Sequence, residues 1–190
     1  LLRAIAGYEG HFVIKAALRL SPMVFVRPGE LRAMEWTEVD LEKATWSIPG
    51  HRMKMSNDHI VPLSTQAVVL LTQLSLITGH HKLVFPSTKG EGRPISENTL
   101  NAALNALGYD GSLHRAHGFR ASARTLLDEQ LGFPAHLIEH QLAHAVKDAN
   151  GRAYNRTSHL EERKKMMQRW SNYLDQLAVG GKVLTFKSAS

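Results

Sequence analysis

The stretch "ATWSIPGHRMKMSNDHIVPL", residues 44–63, interrupts a chain whose pattern is otherwise helical. It contains three short alternating or β-rich pieces, "TWSI", "RMKM" and "HIVPL", separated by the turn-forming "PG" and "SND". We interpret these pieces as a small three-stranded antiparallel sheet. On both sides of it apolar residues recur at helical spacing. The sequence therefore predicts a mainly α fold with one small sheet inserted early.

Helices are predicted on either side of this sheet. Before it we expect a helix over residues 1–20, then a break and a buried extended run at 21–26, and a short helix that begins at Pro28. After it, helices are expected over 64–78, from the cap Ser96 to about Leu107, and over 116–131. Two more are expected over 133–144 and from the capping box "SHLE" at 158–161 to Leu177.

Composition limits the class of protein. The 190 residues include no cysteine, which excludes disulfides, thiolate zinc sites and a cysteine nucleophile and fits a reducing cytosol. Lysine and arginine number 23 against 17 acidic residues, and this basic excess favours a polyanionic partner, most simply nucleic acid. The longest apolar run, "MVFV" at 23–26, is too short to cross a membrane. Because the chain begins without Met and inside a helical pattern, we expect a fragment.

Two arginine-containing motifs are candidate phosphate sites. Arg27 follows "MVFV" and precedes a proline, so it is either a snorkelling surface residue or a guanidinium fixed beside a helix N-terminus, where phosphate binds. In "HRAHGFRASART" (114–125), His117, Arg120 and Arg124 share one helix face. An imidazole beside a guanidinium suits acid–base work on a phosphate. The alternative is a solvated basic face, with Arg124 paired to Asp128.

Two further residues are ordinary on their own but have a chemical interpretation. Lys54 lies between two methionines in the predicted hairpin, where a lysine is usually solvated, although a hairpin could carry its ammonium group into a DNA groove. Tyr154 lies in "GRAYNRTSHLEER" between a polar loop and a capped helix. A lone tyrosine is most often a packing residue. It can also be a covalent nucleophile if its neighbours stabilise the transferred charge.

Three histidines, His136, His140 and His144, fall four residues apart and would form one stripe on a helix. "HQLAH" also approaches the zinc-protease pattern H-E-x-x-H, which makes a zinc hydrolase on His140 and His144 the main rival hypothesis. Gln141, however, replaces the glutamate that acts as general base, and an amide cannot take that proton. Three successive i+4 positions also converge poorly on a tetrahedral ion.

Taken together, the motifs resemble the catalytic domain of the tyrosine recombinases, in particular prophage and genomic-island integrases. The resemblance covers about residues 1–178, and its parts occur in the family's order. They are the first-arginine motif "RPGEL", the lysine hairpin "MKM…HIVPL", the H-x-x-R box "HGFR", the third basic position in "QLAH", and the tyrosine motif "AYNR".

The resemblance implies a role for each matching residue. Tyr154 would attack the scissile phosphate to form a 3′-phosphotyrosyl link, and Lys54 would be the general acid toward the 5′ oxygen. The other implied roles are as follows: Arg27 and Arg120 clamp the non-bridging oxygens, His117 assists proton transfer at the tyrosine, His144 hydrogen-bonds a phosphate oxygen, and Glu30 organises the site from behind Arg27. No metal or other cofactor is expected. No Walker loop is present in the sequence, which agrees with ATP-independent strand exchange.

The resemblance also implies partners and a domain layout. Residues 1–178 would be the catalytic domain, with N-terminal DNA-binding domains absent, and 179–190 a tail that is either frayed or docks on a neighbouring protomer. The expected partners are double-stranded DNA attachment sites, other integrase protomers in a tetrameric synaptic complex, and accessory DNA-bending proteins, in a bacterial, nucleoid-associated cytoplasmic setting without a membrane. A non-catalytic DNA-binding module is an alternative, but it would not need Tyr154 together with the complete basic set. A type IB topoisomerase would share the chemistry, but "RPGEL" and "QLAHAVKDANGRAYNR" resemble integrases instead.

Overall fold

The computed structural model describes residues 1–53, 56–90, 92–144 and 159–180. Within these residues the chain forms eight α-helices, three short strands and two 3₁₀ turns. In chain order the helices and strands are α1 Leu2–Ala6, α2 Phe12–Val24, α3 Pro28–Arg32, β1 Val39–Asp40, β2 Thr45–Ile48, β3 His59–Pro62, α4 Thr65–Thr78, α5 Thr99–Ala106, α6 Gly118–Glu129, α7 Ala135–Gln141 and α8 Leu160–Val179. The predicted fold class, mainly α with a small antiparallel sheet, is confirmed.

The sheet has the order β1-β2-β3 with both pairs antiparallel. Its central strand carries the fully buried Trp46 and Ile48, and Trp46 pairs with Val61 of β3. Strand β1 comes from residues before the "ATWSI" stretch, where it has only two residues and too short a pattern to detect. The predicted strand "RMKM" begins with Arg52 in a 3₁₀ turn over Gly50–Arg52, and its second half, residues 54–55, lies outside the described residues.

Helix α2 is central, since it contacts α1, α3, α4, α5, α6 and α8. The single helix predicted over 1–20 is instead two helices, separated between Ala6 and Phe12. The predicted break at "SPMVFV" is also wrong, because α2 continues through Pro22 to Val24. Trp170 of α8 donates its indole N–H to the carbonyl of Pro22 at 2.7 Å, so tertiary contacts satisfy the backbone there.

Two apolar clusters build the interior. The larger one joins α1, α2, α4, α5 and the sheet, and the smaller one joins α6, α7 and α8 around Phe25. Phe25 lies directly after α2, and its ring meets Trp170 edge to face at 6.1 Å. The segment Phe25–Arg27 therefore runs along the boundary between the two clusters. None of the helices within the described ranges is both long and apolar enough to cross a membrane.

Candidate active site

Arg27 stands at the start of α3, where Glu30 binds it at two points. The Arg27 backbone N–H donates to Glu30 Oε2 at 2.9 Å, and its Nη1 donates to Glu30 Oε1 at 2.8 Å. A glutamate one turn inside a helix is well placed to bind the first N–H groups, and Pro28 sets the helix start. Glu30 is 6% exposed and the Arg27 side chain 23%. A buried carboxylate therefore fixes a guanidinium that stays partly open to solvent.

The hairpin between β2 and β3 is bound to the same helix through Arg52. Its Nη2 donates to the backbone carbonyl of Glu30 at 3.0 Å, and its Nη1 forms an ion pair with Glu38. Glu38 in turn accepts from the indole of Trp46 at 3.0 Å. Arg52 thus joins the hairpin, the sheet and α3. Met53, the last described residue before the gap at 54–55, is buried.

Arg120 of α6 is 6% exposed and points its guanidinium at the junction of three segments. Nη1 donates to the carbonyl of Phe25 at 2.9 Å, and Nη2 donates to the carbonyl of Leu142 at 2.8 Å. Burial, with the repulsion of Arg27 added, lowers the pKa of Arg120 to about 10. The group remains cationic at neutral pH. Two arginines are therefore held close enough to repel each other, an arrangement that a bound anion would relieve.

The carbonyl that Arg120 binds belongs to a residue with unusual backbone geometry. Phe25 has φ 37° and ψ 36°, in the left-handed region that bulky residues rarely adopt. Its ring is fully buried and its N–H donates to Ser21, so packing holds the conformation. The left-handed residue ends α2 and turns the chain into the extended Arg27, which begins α3.

Helix α7 ends at Gln141, so the helix predicted over 133–144 is too long at its end. The His144 N–H donates to the Glu139 carbonyl and the Ala143 N–H to the His140 carbonyl, both at 3.1 Å, with Ala143 at φ 51°. This is a Schellman turn with alanine at the left-handed position, where glycine is the usual residue. The turn takes His144 off the helical stripe of His136 and His140.

The His144 ring lies between the carboxylate of Glu139 and the guanidinium of Arg120. Its Nδ1 is 2.5 Å from Glu139 Oε2, and its Nε2 is 3.2 Å from Arg120 Nη2. Glu139 Oε1 also accepts from Arg124 Nε at 2.7 Å. The proposed pairing of Arg124 with Asp128 is therefore not what the structure has, because Glu139 on the next helix takes its place. His144 is 44% exposed, so the cluster opens to solvent on its side.

His117 is exposed and lies just before α6, one turn ahead of Arg120. Its carbonyl accepts the Arg120 N–H at 3.2 Å. The neighbouring Ala116 N–H donates to Asn101 Oδ1 of α5 at 3.0 Å, which anchors the start of α6. His117 is thus the N-terminal cap residue of the helix that carries Arg120, and it is more open to solvent.

A second polar network lies behind the cluster. Arg163 of α8 is fully buried, and it donates from Nε and Nη2 to Gln141 Oε1, at 3.0 and 2.7 Å, and from Nη2 to the Ile60 carbonyl at 2.5 Å. His59 of β3 lies 3.1 Å from the Gln141 carbonyl. Burial lowers the pKa of His59 to about 3, and the charges of Arg163, Arg120 and Arg27 act in the same direction. The network connects β3, the end of α7 and α8.

The histidine pair required by the zinc hypothesis is divided between two environments. His140 is buried and its ring lies 5.5 Å from that of His159, while the His136 ring is 4.9 Å from His159. His144 instead contacts Glu139 and Arg120. Among the residues with described positions, no group of three or more histidines and acids is arranged to hold a metal ion. Gln141, the residue in place of the protease glutamate, is a partner of Arg163.

Two of the predicted site residues, Lys54 and Tyr154, lie outside the described residues. The remaining five form two groups. In the first group Glu30 binds Arg27. In the second group Arg120 contacts His144, and His117 lies one turn before Arg120 at the start of α6. Arg120 also binds the carbonyl of Phe25, two residues before Arg27, and so connects the two groups.

Sequence reasoning missed several residues that build the site, namely Arg52, Glu38, Glu139, His59 and Arg163. Only Glu139 had a local signal, because it lies five residues before His144 and within reach of a helix-ending turn. The partners of Arg52 and Arg163 are 14 to 103 residues away along the chain. Helical or strand periodicity carries no information about such pairs.

Comparison with known proteins gives a family match. A model described as "Phage integrase family" matches residues 2–161. The integrase of Enterobacteria phage P4 is 43% identical over 188 residues, covering 92% of this chain and 43% of the relative. Prophage integrase IntA of Escherichia coli (strain K12) is 40% identical over 166 residues, covering 87% of this chain and 40% of the relative. The chain thus spans less than half the length of these relatives.

Solved structures share the fold at lower identity. The lambda integrase catalytic core superposes with a TM-score of 0.59 at 21% identity, covering 81% of this chain and 92% of that one. A lambda integrase tetramer bound to a Holliday junction gives a TM-score of 0.59 at 20% identity, covering 78% of this chain and 46% of that one. These matches show that the arrangement of helices and sheet is that of an integrase catalytic core.

Proposed function

This chain belongs to the phage integrase family, and from that premise we propose that it is the catalytic domain of a site-specific DNA recombinase that cuts and rejoins strands through a 3′-phosphotyrosyl intermediate. The observation that carries the proposal is the cluster of Arg27, Arg120 and His144. The buried Glu30 fixes Arg27, and Arg120, whose pKa is lowered by burial and by the nearby charge of Arg27, contacts the Phe25 carbonyl and His144. Such a cluster suits a phosphate that gains charge in the transition state.

In the proposed reaction the Tyr154 hydroxyl oxygen forms a bond to the scissile phosphorus while the bond from phosphorus to the 5′ oxygen breaks. The tyrosine proton passes toward His117, and the departing 5′ oxygen takes a proton from Lys54. Rejoining is the reverse, with the 5′-hydroxyl of a partner strand as the attacking group. The phosphodiester energy is kept in the phosphotyrosyl bond, so no nucleotide hydrolysis is needed.

The two arginines are proposed to bind the non-bridging oxygens of the phosphate. Arg27 is held rigidly by Glu30, and Arg120 by the two carbonyls, so neither must reorganise when the charge develops. Preorganised donors of this kind typically contribute about 3–4 kcal/mol each to transition-state stabilisation. A cationic pocket also favours the phenolate form of a tyrosine, whose ordinary pKa is about 10. This set performs without metal what divalent ions do in many nucleases.

The proposed substrate is a double-stranded DNA attachment site, and the proposed assembly is a tetramer of protomers on two such sites. Support comes from the lambda integrase tetramer on a Holliday junction, which shares this fold. Accessory DNA-bending proteins belong to the same proposal. The tail that we predicted over residues 179–190 lies, from residue 181 onward, outside the described residues. Because the proposed substrate is DNA, we propose that the protein works in the bacterial cytoplasm, at the nucleoid.

Covalent trapping on a pool of DNA sequences tests this function whatever the attachment site is. The chain is incubated in EDTA with nicked duplexes whose central sequence is randomised, and adducts that survive SDS are recovered and sequenced. We expect adducts on a defined sequence from the parent chain and none from Tyr154→Phe. Adducts that persist in the Tyr154→Phe chain would refute the nucleophile assignment. Cleavage that strictly requires added zinc would refute the metal-free mechanism and support a metal-dependent hydrolase.

A further inference from the structure

Glu139 lies between two candidate site helices and contacts both. Its Oε1 accepts from Arg124 Nε of α6 at 2.7 Å, and its Oε2 lies 2.5 Å from His144 Nδ1. The side chain is 23% exposed. Partial burial raises the pKa of Glu139, but the hydrogen bonds from His144 and Arg124 outweigh that effect and the pKa lies below its usual value. Glu139 is therefore a carboxylate at neutral pH.

The contacts of His144 determine where its proton lies. Arg120 Nη2, 3.2 Å from His144 Nε2, can only donate a hydrogen bond, and the Glu139 carboxylate, whose Oε2 lies 2.5 Å from Nδ1, can only accept one. Both contacts therefore favour the same neutral tautomer, with the single proton on Nδ1. The tautomer of a histidine is set in this way by the partner of its other nitrogen.

We infer that Glu139 is a positioning residue for His144, whose carboxylate fixes the ring orientation and keeps a proton on Nδ1 so that Nε2 faces the place where Arg120 would bind the scissile phosphate. The contact stands on the geometry alone, whereas its part in strand cleavage rests on the proposed function. Two independent features hold Glu139 there: the Schellman turn after α7 and the guanidinium of Arg124.

A bound phosphate would change the hydrogen bonding of His144, because a phosphate oxygen would accept the hydrogen bond that Arg120 Nη2 otherwise donates to His144 Nε2. His144 Nε2 then loses its donor and can contact the phosphate favourably only if Nε2 itself carries a proton. The ring becomes an imidazolium with both nitrogens donating, and the Glu139 carboxylate on Nδ1 stabilises that cation. Glu139 therefore favours the form of His144 that donates to phosphate. The charged groups that surround the Arg120–His144 pair are Arg124 from α6, Glu139 from α7, and Arg27 with Glu30 from α3.

The first experiment observes the ring directly. Histidine side-chain ¹⁵N spectra of the full chain are recorded at alkaline pH, with His144 assigned from a His144→Gln sample. We expect the Nδ1–H tautomer in the parent and in the control Glu129→Gln, which changes an exposed acid on α6. Glu139→Ala removes one of the two contacts that favour this tautomer, so the fraction of His144 in the Nε2–H form should rise. A His144 spectrum that is unchanged in Glu139→Ala would overturn the inference.

The second experiment measures cleavage by the same adduct assay. Glu139→Gln keeps an oxygen acceptor but removes the charge, and loss of such a supporting partner typically costs about 10–100-fold. We expect a loss of that size in Glu139→Gln and a smaller loss in Glu139→Asp, which keeps the carboxylate. Equal losses in the two variants would point to a purely structural role and contradict the inference. If the parent forms no adduct, the proposed function fails, while the spectra still decide whether Glu139 sets the tautomer.

Discussion

Arg120 and Arg163 are both buried arginines, with 6% and 0% of their surface exposed, and both donate to backbone carbonyls of distant segments. Their surroundings differ. Arg120 lies beside the partly open His144 and near Arg27, whereas Arg163 is enclosed by Gln141, β3 and α8. Burial by itself therefore does not separate a binding arginine from a scaffold arginine. The exposure of the neighbours differs, since His144 beside Arg120 is 44% exposed, and this difference is the basis of our proposal that a ligand reaches Arg120 and not Arg163.

The largest effect is expected for Arg120→Lys. A lysine keeps the positive charge but loses the fork that donates to Phe25, Leu142 and a phosphate at once. Adduct formation should fall about 100- to 1,000-fold, the usual loss when one preorganised donor is removed. The rate of covalent trapping measures it, with circular dichroism to show that the chain is folded. A rate near that of the parent would show that Arg120, like Arg163, has a structural role, and the proposed difference between the two arginines would be wrong.

The matched change Arg163→Lys should affect stability instead. The ammonium group cannot reproduce the bonds to Gln141 Oε1 and the Ile60 carbonyl, and buried groups left without a bond cost about 1–3 kcal/mol. Urea unfolding measures this loss, and Lys165→Met, at an exposed position on α8, is the control with an expected change within about 0.5 kcal/mol. If Arg163→Lys left stability intact but abolished cleavage, Arg163 would have to be assigned to the site.

The pH dependence of the free energy of unfolding tests whether His59, which lies close to Arg163, is kept neutral in the folded chain. The pKa of His59 is lowered from 6.5 to about 3, chiefly by burial and then by Arg163, so the unfolded chain binds the proton more readily than the folded one. The contribution of His59 to the free energy of unfolding is fully present above pH 6.5. It is lost as the pH falls from 6.5 toward 3, by about 1.4 kcal/mol per pH unit. His59→Gln should flatten the slope in urea unfolding between pH 6.5 and 5. An unchanged slope would show that His59 is not held neutral.

The smallest effect is expected at the turn that sets His144. Ala143 adopts φ 51°, so Ala143→Gly should relieve strain and stabilise the chain by about 0.5–1 kcal/mol after the extra entropy of the unfolded glycine chain is subtracted. The same substitution at the exposed helical Ala121 should destabilise by up to about 1 kcal/mol. Thermal unfolding of both variants shows whether each substitution raises or lowers the stability of the chain. A loss of stability in Ala143→Gly would contradict the assignment of the turn.

Some local contacts of the candidate site were predictable because its motifs are short and continuous in the sequence. "RPGEL" places an arginine, a proline and a glutamate within one helix start, and the structure forms the Arg27–Glu30 contact there. The spacing of His117 and Arg120 likewise follows from one turn of α6. The histidine stripe misled because a four-residue period assumes an unbroken helix, and α7 ends three residues before His144.

By itself the sequence determined the fold class, most helices and the order of the five motifs, since apolar periodicity, capping residues and turn residues act over a few positions. Only the tertiary structure decided that Val39–Asp40 is the third strand, that Glu139 rather than Asp128 pairs with Arg124, and that Gln141 serves Arg163. The physical reason is distance along the chain. Hydrogen bonds such as those from Arg120 to Phe25, 95 residues away, depend on how the helices pack around α2. No local pattern records that packing.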